Sequence, residues 1–280
     1  MNSKTVASTL LQALPYIKKF HNKTIVIKYG GSAQTNDTLK DIFAQDIVLL
    51  SLIGIRVVIV HGGGAKISSM LDKFGIQSEF VKGHRVTTKE IMEVVEMVLY
   101  GNINSSIVSM LNHHGAKALG ITGKDMQSFS AKPKYDDQNY TGEITEVKGE
   151  VIEQLLREKF VPVITPIANG SSPTHPGFNI NADSAASAIA GAIKARKVIF
   201  LTDTAGVLDK EKNLISSLTR EEIQTLKANE TITGGMIPKV DACLDAISQG
   251  VKQAHIIDGR VEHSILLEIL TEEGVGTVIS

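Results

Sequence analysis

Cys243 is the only cysteine in 280 residues, so no disulfide can form within the chain. Its neighbours in sequence lack the basic groups that activate a thiol. A buried, inert thiol in a reducing compartment is therefore expected. No uninterrupted run of about 18 apolar residues occurs, which argues against a membrane-spanning helix. The basic, apolar, small-residue order of a signal peptide is also missing, and a cytoplasmic location is expected. Charge of one sign is lacking too. The formal net charge is −1, without the basic excess of a nucleic-acid binder. The sequence has no Gly-x-x-x-x-Gly-Lys-Ser/Thr phosphate loop. It has neither the His-Arg-Asp and Asp-Phe-Gly pair of protein kinases nor a Cys/His cluster of zinc spacing.

Apolar residues make up 42% and charged residues 21%, a globular composition. The length suits one or two domains. Continuously apolar runs at 24–28, 56–60, 116–121, 161–165, 197–201, 254–257 and 276–279 read as strands buried on both faces. Helical patterns lie between them, at 37–53, 64–74, 88–111, 151–159, 183–194, 219–227, 236–249 and 262–271. This alternation predicts a three-layer α/β/α sandwich around a mainly parallel open sheet. Residues 126–150 break it and read as a β-hairpin excursion. Ahead of the first strand, Val6, Leu10, Leu11, Leu14 and Ile17 fall near one helical face. That helix would pack on its own domain or on a neighbouring subunit.

Six segments carry residues suited to chemistry. Lys28-Tyr29-Gly30-Gly31-Ser32 follows a strand, where glycines let backbone N–H groups approach an anion. A tight turn with a surface lysine would explain the same residues. His61-Gly62-Gly63-Gly64 links a strand to a helix N-terminus, which favours negative charge. It departs from the dinucleotide fingerprint, and no Gly-x-Ser-x-Gly accompanies it as an α/β-hydrolase requires. His61 itself reads as structural. Arg85, in Gly83-His84-Arg85-Val86-Thr87, is a candidate for bidentate carboxylate binding, or a surface arginine. In Asn179-Ile180-Asn181-Ala182-Asp183, capping would account for Asp183 but not for both asparagines. Thr202-Asp203-Thr204-Ala205-Gly206-Val207-Leu208 ends another strand, and Thr233-Gly234-Gly235-Met236-Ile237-Pro238-Lys239 enters a helix. All six lie at strand ends or helix starts, where open α/β sheets bind ligands. The convergence indicates an anionic, phosphorylated ligand.

In this order, IVIKYGGSA, VIVHGGGAKI, GHRVT, GFNINADSAA, FLTDTAGVLD and TGGMIPKV resemble the motifs of the amino-acid kinase family. The resemblance spans essentially the whole chain. It implies an N-terminal oligomerisation helix over 1–20 and one kinase domain over 21–280. Its lobe at about 21–180 would bind the acceptor, and its lobe at about 181–280 would bind ATP. The GHRVT and NINAD pair resembles a site for N-acetyl-L-glutamate. That implies ATP-dependent phosphorylation of its side-chain carboxylate, a step of arginine biosynthesis.

The resemblance also implies roles. Lys28 and Lys239 would stabilise the transferring phosphoryl group, with Asp183 holding both. Gly30 and Gly31 would offer N–H groups to ATP, and Gly63, Gly64, Arg85, Asn179 and Asn181 would meet the acceptor. Thr202, Asp203, Thr204, Gly206, Val207, Leu208, Gly234, Gly235 and Met236 would form the nucleotide site. Mg²⁺ would be held by the nucleotide phosphates rather than by protein ligands. The N-terminal helix resembles the extension that joins dimers into hexamers in arginine-sensitive members. Residues 262–277 resemble their effector site, where Glu268 would pair with the guanidinium. His263 and the Gly274 backbone would contact the effector, and Tyr16 would close over it.

Overall fold

The computed structural model describes residues 2–81, 83–136, 139–170 and 172–280. In the first half α1 (Ser3–Phe20) leads into β1 (Thr24–Tyr29), α2 (Asp37–Leu52), β2 (Arg56–His61) and α3 (Gly64–Phe74). The small hairpin β3 (Phe80–Val81) and β4 (His84–Arg85) follows. Next come α4 (Lys89–Glu96), a π-helical segment Met97–Asn104, α5 (Ser105–His113) and β5 (Ala118–Thr122). The excursion is β6 (Phe129–Pro133) and β7 (Thr141–Val147), then α6 (Gly149–Arg157), β8 (Val161–Thr165), β9 (Ile167–Ala168) and β10 (Phe178–Ile180). The last third holds α7 (Ala182–Ala192), β11 (Lys197–Thr202), β12 (Ser217–Leu218), α8 (Arg220–Ala228), α9 (Met236–Ser248), β13 (Gln253–Asp258), α10 (Ser264–Leu270) and β14 (Thr277–Ile279).

Eight strands form the main sheet in the order β12-β14-β13-β11-β1-β2-β8-β5. Only the β13–β14 pairing is antiparallel. Successive side chains of β1 divide between two cores, as the two-residue strand period requires. Ile25 and Ile27 join Phe43 and Ile47 of α2 and Leu71 of α3 on one face. Val26 joins Ala186 and Ile189 of α7 and Val240 of α9 on the other. Helices on both faces explain why every residue of β11 is buried. The expected sandwich is the fold observed. The excursion is an antiparallel β6–β7 hairpin that joins β9 and β10 in a four-stranded sheet. Residues 137 and 138 within it lie outside the described residues. Cys243 is fully buried, and burial pushes its thiol well up.

The helix expected at 88–111 is present, with two features that the sequence reading did not foresee, its apolar window and its winding. Lys89–His113 is one continuous 25-residue helix, and its most apolar 18-residue window reaches a mean hydropathy of 1.3. By length and composition alone it could cross a bilayer. Lys89, Glu90, Glu93 and Glu96 crowd its start, so no uninterrupted apolar run shows in the sequence. In the fold it lies on the sheet, with Met92, Val95 and Leu99 buried. The second feature is the π-helical stretch in its middle, a wider winding often found at functional sites.

Candidate active site

The ends of β1 and β2, the start of α7 and the β4 strand converge on a cavity of about 590 Å³. Lys28, Gly30, Gly31, Gly63, Gly64, Arg85, Asn179, Asn181, Asp183 and Asp203, all singled out from the sequence, line it. Thr202, Thr204, Gly206, Val207, Leu208, Gly234, Gly235, Met236 and Lys239 do not. They belong to neighbouring surface and core. Val207 is buried and its N–H donates to Thr277 Oγ1 at 2.8 Å, which fixes the turn at Gly206 and Leu208. At Gly234 and Gly235 an added Cβ would meet nothing within 4 Å, so the entry to α9 is open.

Asp183 is the hinge of the charge arrangement. Its Oδ1 lies 3.0 Å from Lys28 Nζ, and its Oδ2 accepts from Lys239 Nζ at 3.2 Å. Burial pushes the carboxyl up, but the two ammonium groups outweigh it and hold it below the usual carboxylate value. Asp183 is not the helix cap, because Asn181 takes that place. Asn181 Oδ1 accepts from Asp183 N at 2.9 Å and Ser184 N at 3.0 Å. Asn179 Nδ2 donates to Thr87 Oγ1 at 3.2 Å.

Helix α3 opens at Gly64 with no side-chain cap, leaving its first N–H groups for a ligand. A Cβ at Gly63 would collide with Ile103 Cδ1 and come within 2.6 Å of Leu99 Cδ2, so any larger residue would have to displace these side chains of the π-helical segment. Gly31 has φ +68°, and its Cβ would meet Asp203 Oδ1 at 2.6 Å. Asp203 instead accepts from Ser32 N at 2.7 Å and so pins the first glycine turn. Arg85 is buried. It donates from Nη1 to Ser78 Oγ at 2.5 Å and from Nη2 to Ser68 Oγ at 2.7 Å, with its guanidinium 4.6 Å over the Phe80 ring.

The effector candidates lie on α1, α10 and the turn before β14, and α1 contacts α10. Glu268 and Gly274 are neighbours, since a Cβ on Gly274 would lie 2.9 Å from Glu268 Oε2. Glu268 accepts from His255 Nδ1 at 2.6 Å and from Val275 N at 2.8 Å. Burial lowers His255 and raises Glu268, but the hydrogen bonds to Glu268 turn its net shift downward, so a neutral imidazole donates to a carboxylate. Tyr16 packs against the first core. His263 Nδ1 lies 2.6 Å from Asp46 Oδ1.

Sequence reasoning missed Gln34 and Asn104. Gln34 Nε2 donates to the carbonyls of Tyr29 (3.0 Å) and Gly62 (3.3 Å). Asn104 Nδ2 donates to Val163 O at 2.8 Å and lies 3.3 Å from His61 Nε2. Neither belongs to a glycine motif. Only the proximity of Gln34 to Gly31 could have flagged it.

The model of the Amino acid kinase family matches residues 23–258. The chain belongs to the amino acid kinase family. Over 275 residues the chain is 60% identical to an acetylglutamate kinase of a Nitratiruptor species, covering 98% of this chain and 97% of that one. Among solved structures, smu.665 from Streptococcus mutans UA159 superposes with a TM-score of 0.77 at 28% identity, over 92% of this chain and 98% of the other. The N-acetylglutamate synthase of Neisseria gonorrhoeae gives a TM-score of 0.86 at 24% identity, which shows a shared fold. That match takes in 98% of this chain but only 63% of the synthase chain. These matches place the mostly parallel sheet and its helices in the amino acid kinase fold.

Proposed function

We propose that this chain transfers the γ-phosphoryl group of ATP to the side-chain carboxylate of N-acetyl-L-glutamate. The Lys28–Asp183–Lys239 cluster beside the glycine-lined cavity carries the reading. The name of the relatives points to the same acceptor. A glutamate side chain has an ordinary pKa of about 4.3 and arrives ionised, so no general base is needed. Alignment and charge stabilisation remain, which is most of what phosphoryl transfer asks for. Lys28 and Lys239 meet the transferring group from two sides, kept apart by one carboxylate. The free N–H groups at the start of α3 face its oxygens. Arg85, now satisfied by two serine hydroxyls, exchanges them for a substrate carboxylate, with Asn179 alongside.

Nucleotide binding falls to the open, uncapped start of α9 at Gly234 and Gly235 and to the Asp203 turn. Among the described residues no three His, Cys, Asp or Glu side chains cluster as a metal site. Mg²⁺ carried on the ATP phosphates would need few protein ligands. When bound, the ion neutralises phosphate charge. ATP consumption with N-acetylglutamate, glutamate, aspartate, carbamate and UMP tests the reading. Turnover confined to N-acetylglutamate is expected, and a preference for any other acceptor would overturn it.

Feedback inhibition by arginine and a hexameric trimer of dimers are the finer part of the proposal. Support comes from α1, whose Val6, Leu10, Leu11 and Leu14 are exposed although apolar. Further support comes from the buried carboxylate of Glu268 beside Gly274 and close to the end of α1. Removal of residues 1–20 should leave catalysis, yield dimers and blunt inhibition. Sedimentation and an arginine titration read both. An intact chain that stays dimeric and ignores millimolar arginine would refute this part.

A further inference from the structure

His61 and Gln34 lie outside the catalytic set just described, yet both donate to one atom of the glycine loop. His61 Nδ1 lies 3.0 Å from Gly62 O, and Gln34 Nε2 approaches the same oxygen at 3.3 Å. The ring has little choice of tautomer. Its Nε2 meets Thr165 Oγ1 at 3.0 Å and Asn104 Nδ2 at 3.3 Å, and an Asn104 amide can only donate there. Nε2 is therefore the acceptor, and Nδ1 carries the hydrogen toward Gly62 O. Asn104 is in turn anchored on Val163 O. It stands at the end of the π-helical segment whose Leu99 and Ile103 abut Gly63. Burial lowers the imidazole to about 4, with the Gly62 carbonyl opposing, so it stays neutral at working pH and is no acid or base.

A trans peptide is planar, with its C=O and the next N–H antiparallel. Gripping the Gly62 oxygen therefore fixes where the Gly63 N–H points. Among the described residues nothing accepts from that N–H. Gln34 also holds Tyr29 O at 3.0 Å, and Gly62 N donates to the same oxygen at 2.9 Å. One carboxamide thus ties the two glycine turns at a fixed spacing.

We propose that His61 and Gln34 are positioning residues that lock the Gly62–Gly63 peptide with its N–H turned into the cavity, as a donor to the transferring phosphoryl group. The inference rests on the phosphoryl-transfer reading above. Glycine at three successive positions leaves this loop free to flip, so an external clamp is what makes the N–H a prepared donor. A misaimed donor matters little for binding a flexible substrate and much for the transition state.

The test is steady-state kinetics on Gln34→Leu, His61→Gln and His61→Asn, with melting curves alongside. Gln34 is half-buried and outside the apolar core, so the melting curve of Gln34→Leu separates a loss of fold from a loss of turnover. It should lower kcat about tenfold or more while both KM values stay within about twofold. An Asn amide at position 61 can replace Nδ1–H, whereas a Gln amide reaches the Nε2 position. His61→Asn should therefore retain clearly more kcat than His61→Gln at similar melting temperature. Wild-type kcat in folded Gln34→Leu, or equal kcat in the two His61 variants, would overturn the clamp. If the wild type prefers another acceptor, the substrate reading falls alone, and the same ratios on that acceptor decide the clamp.

Discussion

Asn181 accepts a hydrogen bond from the backbone N–H of Asp183, 2.9 Å away, and thereby releases the Asp183 carboxylate from capping its own helix. An aspartate at the first turn of a helix would ordinarily spend its oxygens on nearby N–H groups. Here another side chain does so, and both Asp183 oxygens face ammonium groups instead. Local structure at one residue sets the electrostatics of its neighbour.

Replacing Asp183 by Asn keeps the shape and removes the charge between Lys28 and Lys239. A fall in kcat of about 10²–10³ is expected, the scale of one lost electrostatic group. Lys28→Ala and Lys239→Ala should each fall in the same range, with KM for ATP changing far less. Near-normal kcat in any of the three folded variants would remove the cluster from the chemistry.

Asn181→Ala tests the cap. Loss of the side-chain acceptor should cost about 0.5–2 kcal/mol in a urea melt. Turnover should fall as well, because the start of α7 carries Asp183. An unchanged melt would mean that backbone alone holds this turn.

Arg85→Lys keeps a positive charge and loses the fork. The expected result is a raised KM for N-acetylglutamate with KM for ATP nearly unchanged. An effect mainly on ATP would place Arg85 in the nucleotide site.

Lys197 offers a pH test of stability. Burial lowers its ammonium to about 8, with Glu268 opposing and Lys19 and Arg196 adding to the shift. An unfolded lysine titrates at about 10.4. Between those values the unfolded chain binds more protons, so stability rises with pH across that window. Below it, the cost of burying the charge is fully present. From about pH 7.5 to 9.5 the wild type should gain about 1–2 kcal/mol relative to Lys197→Met in urea melts. A pH-independent difference would mean that the ammonium remains hydrated.

The sheet was legible because its strands are buried on both faces and therefore read as apolar runs, as at 197–201. Lys28, Asp183 and Lys239 could be picked out because each sits where a regular element ends or starts, and such places are punctuated by glycine and asparagine. The division of labour between Asn181 and Asp183 was not legible, since either residue type caps a helix. Gln34 and Asn104 were hidden for a different reason. Each acts on a backbone carbonyl far away in sequence, 28 residues for Gln34 and Gly62, 59 for Asn104 and Val163, and nothing local distinguishes such a side chain from a solvated one. The π-helical stretch escaped because a slightly wider winding leaves the apolar periodicity nearly intact over eight residues.

Helix α1 runs 18 residues, and Phe20 at its far end is its only fully buried side chain. At a rise of 1.5 Å per residue, such a rod is about 27 Å long. Anchored toward that end, where Lys197 Nζ lies 5.0 Å from the Phe20 ring, it has the geometry of a lever. A tilt of about 10° there would carry the opposite tip through about 5 Å by the same geometry. A displacement too small to notice at the fulcrum becomes a side chain's width at the tip.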